Sequence, residues 1–403
     1  MARQRLVVIG NGMAGLRLLE EIVERAPQGF DITVAGAEPV AAYNRVLLSS
    51  LLAGETAASD VLLRPSQWYR AHGIALRTGQ VARAVDLARR RVTFADGSAV
   101  PFDILALATG SDPMTLPIPG AGLPGVATFR TLADVATFER FAASSRPAVV
   151  IGGGLLGIEA ACGLARRGVA VTLVHLMDRL MERQLDAEAA ALLAAAISAQ
   201  GVRVVLGANT RAVHGRSEVE AIELGDGREL ACGLVVMAIG IHPRTALATR
   251  AGVRVGRGII VDDRMQTSAE GVFAIGECAE HNGICYGLVE PCYEQAKVAA
   301  LSILGDAAAG YTGSVLATNL KVSGVPVYSI GDFDGPGLDS IIVRDAGTPA
   351  YRKLVTRDGR LVGAVLVGDT GDARWYADLV RSGAPVAAFR DSLAFGQAYA
   401  EVA

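Results

Sequence analysis

Two glycine triplets share one spacing. Gly10, Gly12 and Gly15 follow the apolar run "RLVVI", and Gly152, Gly154 and Gly157 follow "AVVI". A helix-like stretch comes after each. This G-x-G-x-x-G pattern between strand and helix suits a dinucleotide pyrophosphate. The first glycine permits a tight turn, the second lets a phosphate approach the backbone, and the third lets helix pack on strand. The helix start adds unpaired N–H groups and a positive dipole end. The first candidate loop is Gly10, Asn11, Gly12, Met13, Ala14 and Gly15. The second is Gly152, Gly153, Gly154, Leu155, Leu156 and Gly157, with Gly153 read as slack.

In such units an acid closing the next strand accepts bonds from ribose hydroxyls. Glu38 ends "FDITVAGAE" and fits. His175 ends "AVTLVH" and departs from the rule. A histidine there tolerates either NADH or NADPH, and nearby Arg179 could favour a 2′-phosphate. The other reading makes His175 a solvent-facing loop residue, with the ribose held elsewhere. NADH is the expected coenzyme over NADPH. Glu159 falls in the first turn after Gly157. There an acid suits the helix dipole, or else its carboxylate points into the coenzyme cleft.

Elements must hold these loops. The chain has 403 residues, 47 of them glycine, and is half hydrophobic. That suits an α/β protein with buried parallel strands. "FDILALATG" reads as a further strand, and "LDAEAAALLAAAISAQ" as a long helix. A helix is expected from Pro291 to Leu304, with proline at its first position. Prolines and glycines between residues 113 and 125 punctuate the chain as a linker. Near the end, "AYRKLVTRDGRLVGAVLV" reads as a hairpin turning at Asp358-Gly359, and "DARWYADLVRSG" as a helix. The expected domains are 1–112 with 243–310 around the first glycine loop, 113–242 around the second, and a small α+β domain at 311–403.

Net charge is −3, which gives no footprint for nucleic acid. No apolar run reaches the ~18 residues that span a bilayer. A strand begins by Leu6, which leaves no room for a signal peptide, so a cytoplasmic protein is expected. Five scattered cysteines with no C-x-x-C argue against a disulfide framework. Cys278, Cys285 and Cys292 lack the tight pairs of an iron–sulfur site. Buried thiols are the default reading, and a redox pair of Cys285 and Cys292 is the alternative. No metal site is expected. His72, His214, His242 and His281 are read as surface or loop residues.

These motifs resemble the flavoprotein superfamily with two dinucleotide-binding domains, of the glutathione-reductase-like fold. "LALATGS" (Leu105 to Ser111), "VMAIGIHPRT" (Val236 to Thr245) and "TSAEGVFAIGECA" (Thr267 to Ala279) match its further motifs in order. The resemblance implies two interleaved Rossmann-like domains, FAD on the first loop and NAD(P)H on the second. It implies flavin contacts from Val81, Ala108, Thr109, Gly110, Gly276 and Glu277, the last standing where the family usually has aspartate. It also implies Gly240 beside the coenzyme.

Residues 38 to 56 contain no cysteine. The dithiol of the disulfide-reductase branch is therefore absent. "AYNRVLLSSLLAGE" (Ala42 to Glu55) is instead similar to ferredoxin and rubredoxin reductases, which implies Arg45 and Ser49 near the flavin. Ser50 stands where a lysine often pairs with the residue at Glu159. The implied catalytic supports are Arg45, Glu159 and Glu290, the last beside a helix start facing the flavin.

"YNRVLLSS", "LMERQLD" (Leu180 to Asp186), "YGLV" and "GAVLVGDT" resemble, still more closely, the amino-terminal flavoprotein region of assimilatory nitrite reductase large subunits. There the chain continues into iron–sulfur and sirohaem domains, whereas this one stops at Ala403. The resemblance implies an electron-transfer subunit. Its partner would be an iron–sulfur or molybdenum-containing reductase subunit of nitrate or nitrite assimilation, with a homodimer as a further expected assembly. The alternatives are a rubredoxin or ferredoxin reductase of another pathway, and a flavoprotein that senses NAD(P)H by partner binding. Lys321, Arg344, Arg352, Lys353 and Arg357 make the last domain locally basic. They are read either as a docking face for an acidic carrier or as a solvated surface.

Overall fold

The computed structural model describes residues 3–306, 308–320, 324–345, 347–348 and 350–400. Two compact units result. One holds residues 1–47, 57–113 and 240–314, and the other holds 48–56, 114–239 and 315–403.

The first unit is built on a five-stranded parallel sheet. Its order is Val272–Ala274, Ile104–Leu107, Gln4–Ile9, Phe30–Ala35, Ala75–Arg77. Leu6, Val7, Val8, Leu105 and Ala106 are all buried. That explains why these strands read as unbroken apolar runs rather than alternating ones. Ile9 pairs with Ala35 on one side and Leu107 on the other. The chain leaving Ile9 thus emerges at the carboxyl edge between strands whose connections diverge, where α/β sheets bind ligands. Helix Met13–Arg25 starts there and buries Leu16, Leu18, Leu19, Ile22 and Val23.

The second unit repeats this plan. Its parallel sheet runs Val202–Val205, Val171–Val174, Ala148–Ile151, Leu234–Met237, Val126–Thr128. Ile151 sits between Val174 and Met237 as Ile9 sits between its neighbours. Helix Leu155–Arg166 follows the loop. Each unit also carries a three-stranded antiparallel meander, Ala82–Asp86 to Ala99–Pro101 in the first and Thr210–His214 to Glu229–Ala231 in the second. The duplication therefore reaches well past the glycine loops.

The second unit also holds an antiparallel sheet ordered Ala317–Leu320, Val327–Gly331, Arg360–Val367, Tyr351–Arg357, Asp339–Arg344. The expected hairpin turns at Asp358 and Gly359, whose φ values of 50° and 71° are both left-handed, as a type I′ turn needs. The expected helix is Ala373–Ser382, closed by Gly383 at φ 59°.

One helix start differs from expectation. The helix is Val289–Ile303, so Pro291 is its third residue. The first turn has no intrahelical acceptor for its N–H groups, so proline is tolerated there without marking the boundary. Among the described residues no helix is long and apolar enough to cross a membrane.

Candidate functional site

The glycines of each loop divide by what demands them. Gly10 and Gly152 have φ of +113° and +119°. A Cβ on Gly10 would lie 2.0 Å from the Ala108 carbonyl oxygen, and one on Gly152 would lie 2.3 Å from that of Ala238. Cβ atoms on Gly15 and Gly157 would lie 2.0 and 1.9 Å from the carbonyl oxygens of Gly10 and Gly152. Strand crossing and helix packing demand all four. Gly12 and Gly154 differ. Both are extended, at φ −96° and −81°, and a Cβ on either would meet nothing within 4 Å. The polypeptide does not require them. Each sits at a helix start in open space, as a cradle for a phosphate must. The Nδ2 of Asn11 is buried with no partner, while its Oδ1 accepts from Tyr69 at 3.1 Å.

Around the first loop the structure gathers several of the expected residues. A Cβ on Gly276 would lie 2.9 Å from that of Ala14, so the second flavin-like motif abuts the helix start of the first. The Gly276 N–H donates to Gln295 at 2.7 Å. Glu277 accepts from the Ser111 hydroxyl at 2.8 Å, beside Gly110. The Ala108 N–H donates to Ile9 at 2.8 Å, and the Thr109 hydroxyl donates to the Arg244 carbonyl at 2.8 Å. Glu38 accepts from the Tyr43 hydroxyl at 2.8 Å through Oε2 and from Arg45 through Oε1. Arg45 therefore stands with the ribose-type acid. Met13 opens the helix. Val81 is exposed, with its carbonyl taken by Ala95. Gly240 is exposed at φ +125°, and Glu290 is exposed as the second residue of its helix.

The second loop corrects the reading of two residues. Gly153 is not slack. A Cβ there would lie 2.6 Å from Cγ of His175 and 2.7 Å from Leu180. Nor is His175 a solvent-facing loop residue, being only 9% exposed. Its Nδ1 accepts the Gly153 N–H at 3.0 Å, and its Nε2 faces Glu182 at 3.1 Å. Arg179 lies 3.4 Å from Asp178. Leu155 and Leu156 open the helix, half-buried.

Glu159 and Ser49 meet within the second unit. Ser49 lies on the short helix Leu48–Ala53, which packs on Leu155–Arg166. Burial raises the Glu159 carboxyl to about 7, against the opposing hydrogen bond from Ser49. No lysine ammonium stands at position 50 to hold it ionised.

All five cysteines are free thiols. Burial pushes Cys162 and Cys232 up to about 11 and raises Cys278 and Cys285. Thiols held protonated are poor nucleophiles. His281 is not a surface residue but 1% exposed. It pairs with Asp263 at 2.8 Å and packs edge-on to Tyr311. Among the described residues no group of His, Cys, Asp or Glu could hold a metal.

The basic residues of the last sheet are engaged. Arg352 and Lys353 have side chains only 11% and 14% exposed. Arg352 donates to Asp369 at 2.9 Å and to the Tyr376 hydroxyl at 3.0 Å. Lys353 pairs with Asp186 at 3.2 Å, and Arg344 with Glu188 at 2.5 Å. Arg357 lies 3.9 Å from Asp332. Lys321 lies outside the described residues. A docking face that includes Arg352 and Lys353 is thus not what the structure presents. Sequence reasoning missed Ser111, Tyr43 and Glu182 as partners. All three lie inside segments already singled out, one or a few residues from a named position.

Two parallel sheets, each followed at its switch point by an open glycine at a helix start, define a fold with two dinucleotide-binding units. Residues 4–302 match the model of the pyridine nucleotide-disulphide oxidoreductase family, to which the chain belongs. Residues 317–384 match the rubredoxin NAD+ reductase C-terminal domain. The chain is 45% identical over 96% of its length to a nitrite reductase [NAD(P)H] of Bacillus subtilis, covering 48% of that protein. It is 42% identical over 94% of its length to an assimilatory nitrate reductase electron transfer subunit of the same species, covering 49% of it. It thus spans about half the length of these curated relatives. The solved covalent putidaredoxin reductase–putidaredoxin complex matches with TM-score 0.86 and 26% identity, over 96% of this chain and 94% of that one. The family implies flavin and a pyridine nucleotide as cofactors.

Proposed function

We propose that the chain passes electrons from NADH through FAD to an iron–sulfur partner, as the electron-transfer part of a nitrate or nitrite reductase. One observation carries this. Gly12 and Gly154 are glycines that the polypeptide does not need, one per unit, each at a helix start above a switch point. Two such openings call for two dinucleotides.

On this reading residues 1–112 and 243–310 hold FAD, and 113–242 hold the coenzyme. The Gly10–Gly15 loop takes the flavin pyrophosphate, Glu38 with Arg45 takes its ribose end, and Glu277 accepts a ribitol hydroxyl. The Gly152–Gly157 loop takes the coenzyme pyrophosphate. Bound flavin supplies the step from two-electron hydride acceptance to single-electron release. The chain's own part is to bind and orient, and to hold a proton on Glu159 near neutral pH. The absence of cysteine between residues 38 and 56, with burial raising the Cys278 and Cys285 thiols, argues against a dithiol relay. A second reading, ferredoxin or rubredoxin reductase of another pathway, draws on the match of residues 317–384 and the putidaredoxin reductase likeness.

The test is turnover with defined acceptors. NADH oxidation with ferricyanide should run at ordinary enzyme rates, ~1–10³ s⁻¹. Nitrate and nitrite should be reduced only once a molybdenum or sirohaem iron–sulfur partner is added. Rapid reduction of ferredoxin or rubredoxin, with none of the nitrogen oxides under any pairing, would favour the second reading.

A further inference from the structure

The second glycine unit has His175 directly after its strand Val171–Val174, and Met177 at the step where the first unit has Glu38. Neither is a carboxylate. The Gly153 N–H is a donor whose direction the backbone fixes. Nδ1 of His175, 3.0 Å away, must therefore be the bare, accepting nitrogen of a neutral ring. The ring proton then lies on Nε2, which donates to Oε2 of Glu182 at 3.1 Å. The backbone of His175 is pinned as well. Its N–H donates to Val205 at 2.8 Å, and its carbonyl accepts from Ala208 at 2.9 Å. The ring lies on Gly153 so closely that no Cβ fits between them. His175 thus has no acceptor left for a ribose hydroxyl. Glu182 does. Its Oε1 has no hydrogen-bond partner among the described residues, and its side chain is only 25% exposed.

We propose that Glu182, oriented by His175, is the carboxylate that reads the adenosine ribose of the pyridine nucleotide and rejects a 2′-phosphate. The inference rests on the second loop being the coenzyme loop. The histidine works as a spacer: it takes the loop N–H on one side and presents a carboxylate on the other. A charged acceptor bonds a hydroxyl pair strongly, and its charge repels a phosphate dianion. Arg179, three residues earlier, is the rival determinant. It would favour the 2′-phosphate, and it faces Asp178 at 3.4 Å. His175 is a positioning residue here, and Glu182 is the one that meets the coenzyme.

The experiment is calorimetric binding of ADP-ribose and of 2′-phospho-ADP-ribose to the flavin-loaded protein. Neither ligand carries nicotinamide, so the readout is independent of turnover. The wild type should bind ADP-ribose at least tenfold more tightly, about 1.4 kcal/mol. Glu182→Gln should cut that ratio at least tenfold, and Glu182→Ala should do the same. His175→Gln, which keeps one acceptor and one donor, should preserve most of the ratio, whereas His175→Leu should lose it. Arg179→Ala should leave the discrimination in place. If ADP-ribose binds and both Glu182 variants keep the wild-type ratio, the inference is overturned. It is also overturned if Arg179→Ala alone moves the ratio. If neither ligand binds a protein that melts cooperatively, the coenzyme reading of the loop falls, and this assignment falls with it.

Discussion

Glu159 carries the sharpest prediction at the scale of one residue. Its carboxyl is raised from an ordinary 4.5 to about 7 by burial. The folded chain therefore holds a proton that the unfolded chain has already released. Stability must fall as pH rises between those two values. Below 4.5 both states are protonated and no penalty exists, while above 7 the penalty is complete. Glu159→Gln removes the titration and keeps a group able to bond Ser49. Its melting temperature should match the wild type near pH 4.5 and exceed it at pH 8, with the gap opening between. Other carboxylates titrate too, but they cancel in the difference between the two proteins. Parallel curves would show that the carboxyl is ionised in the fold at neutral pH. The sequence marked Glu159 by its distance from Gly157. It could not show the environment, because the partner Ser49 lies 110 positions earlier and is brought near by helix packing. The glycines were more legible. A φ near +115° with a carbonyl 2 Å from any Cβ admits one residue type only.

Among the elements, the last sheet shows what composition conceals. Arg352 and Lys353 read as a basic docking stripe because their neighbours in sequence are basic. In the fold, acids from elsewhere arrive to meet them. Asp186 caps the helix Ala187–Ala199, accepting from Ala189 at 3.0 Å, from Tyr351 at 2.6 Å and from Lys353 at 3.2 Å. Burial raises the Asp186 carboxyl, but those bonds outweigh it and hold the group below its ordinary value. The contribution is thus present above pH 4 and lost as pH falls further. Lys353→Glu would set two carboxylates against each other in a covered site. Removing one partner of a buried pair costs roughly 3–5 kcal/mol, so the urea midpoint should drop sharply. NADH–ferricyanide activity should fall with it as the chain unfolds. A variant of unchanged stability that fails only in transfer to a protein partner would restore the docking interpretation. The hairpin at Asp358-Gly359 was legible beforehand because turn chemistry is local. The Asp186 cluster was not, since its members are 165 and 167 residues apart.

Over the whole molecule, the duplicated plan predicts that the two openings can be closed independently. The glycine triplets were visible in the sequence, and so was the strand on each side. The repetition of sheet order and meander was not, because the residues that build it share burial rather than identity. Gly12 and Gly154 have extended backbones and open surroundings, so valine at either site strains nothing in the polypeptide. Gly10 or Gly15 would be poor choices, since a side chain there collides with backbone and misfolding would mimic loss of ligand. Gly12→Val should purify colourless with an unchanged far-ultraviolet circular dichroism spectrum. Gly154→Val should purify yellow, with about one flavin per chain, yet fail to bleach when NADH is added. Dithionite, which needs no coenzyme site, should still bleach it. The two variants thus separate flavin retention from flavin reduction within one chain. If Gly12→Val keeps its flavin while Gly154→Val loses it, the cofactors are assigned to the wrong loops. If both bleach normally with NADH, neither opening is a phosphate site, and the reason for two unneeded glycines lies elsewhere.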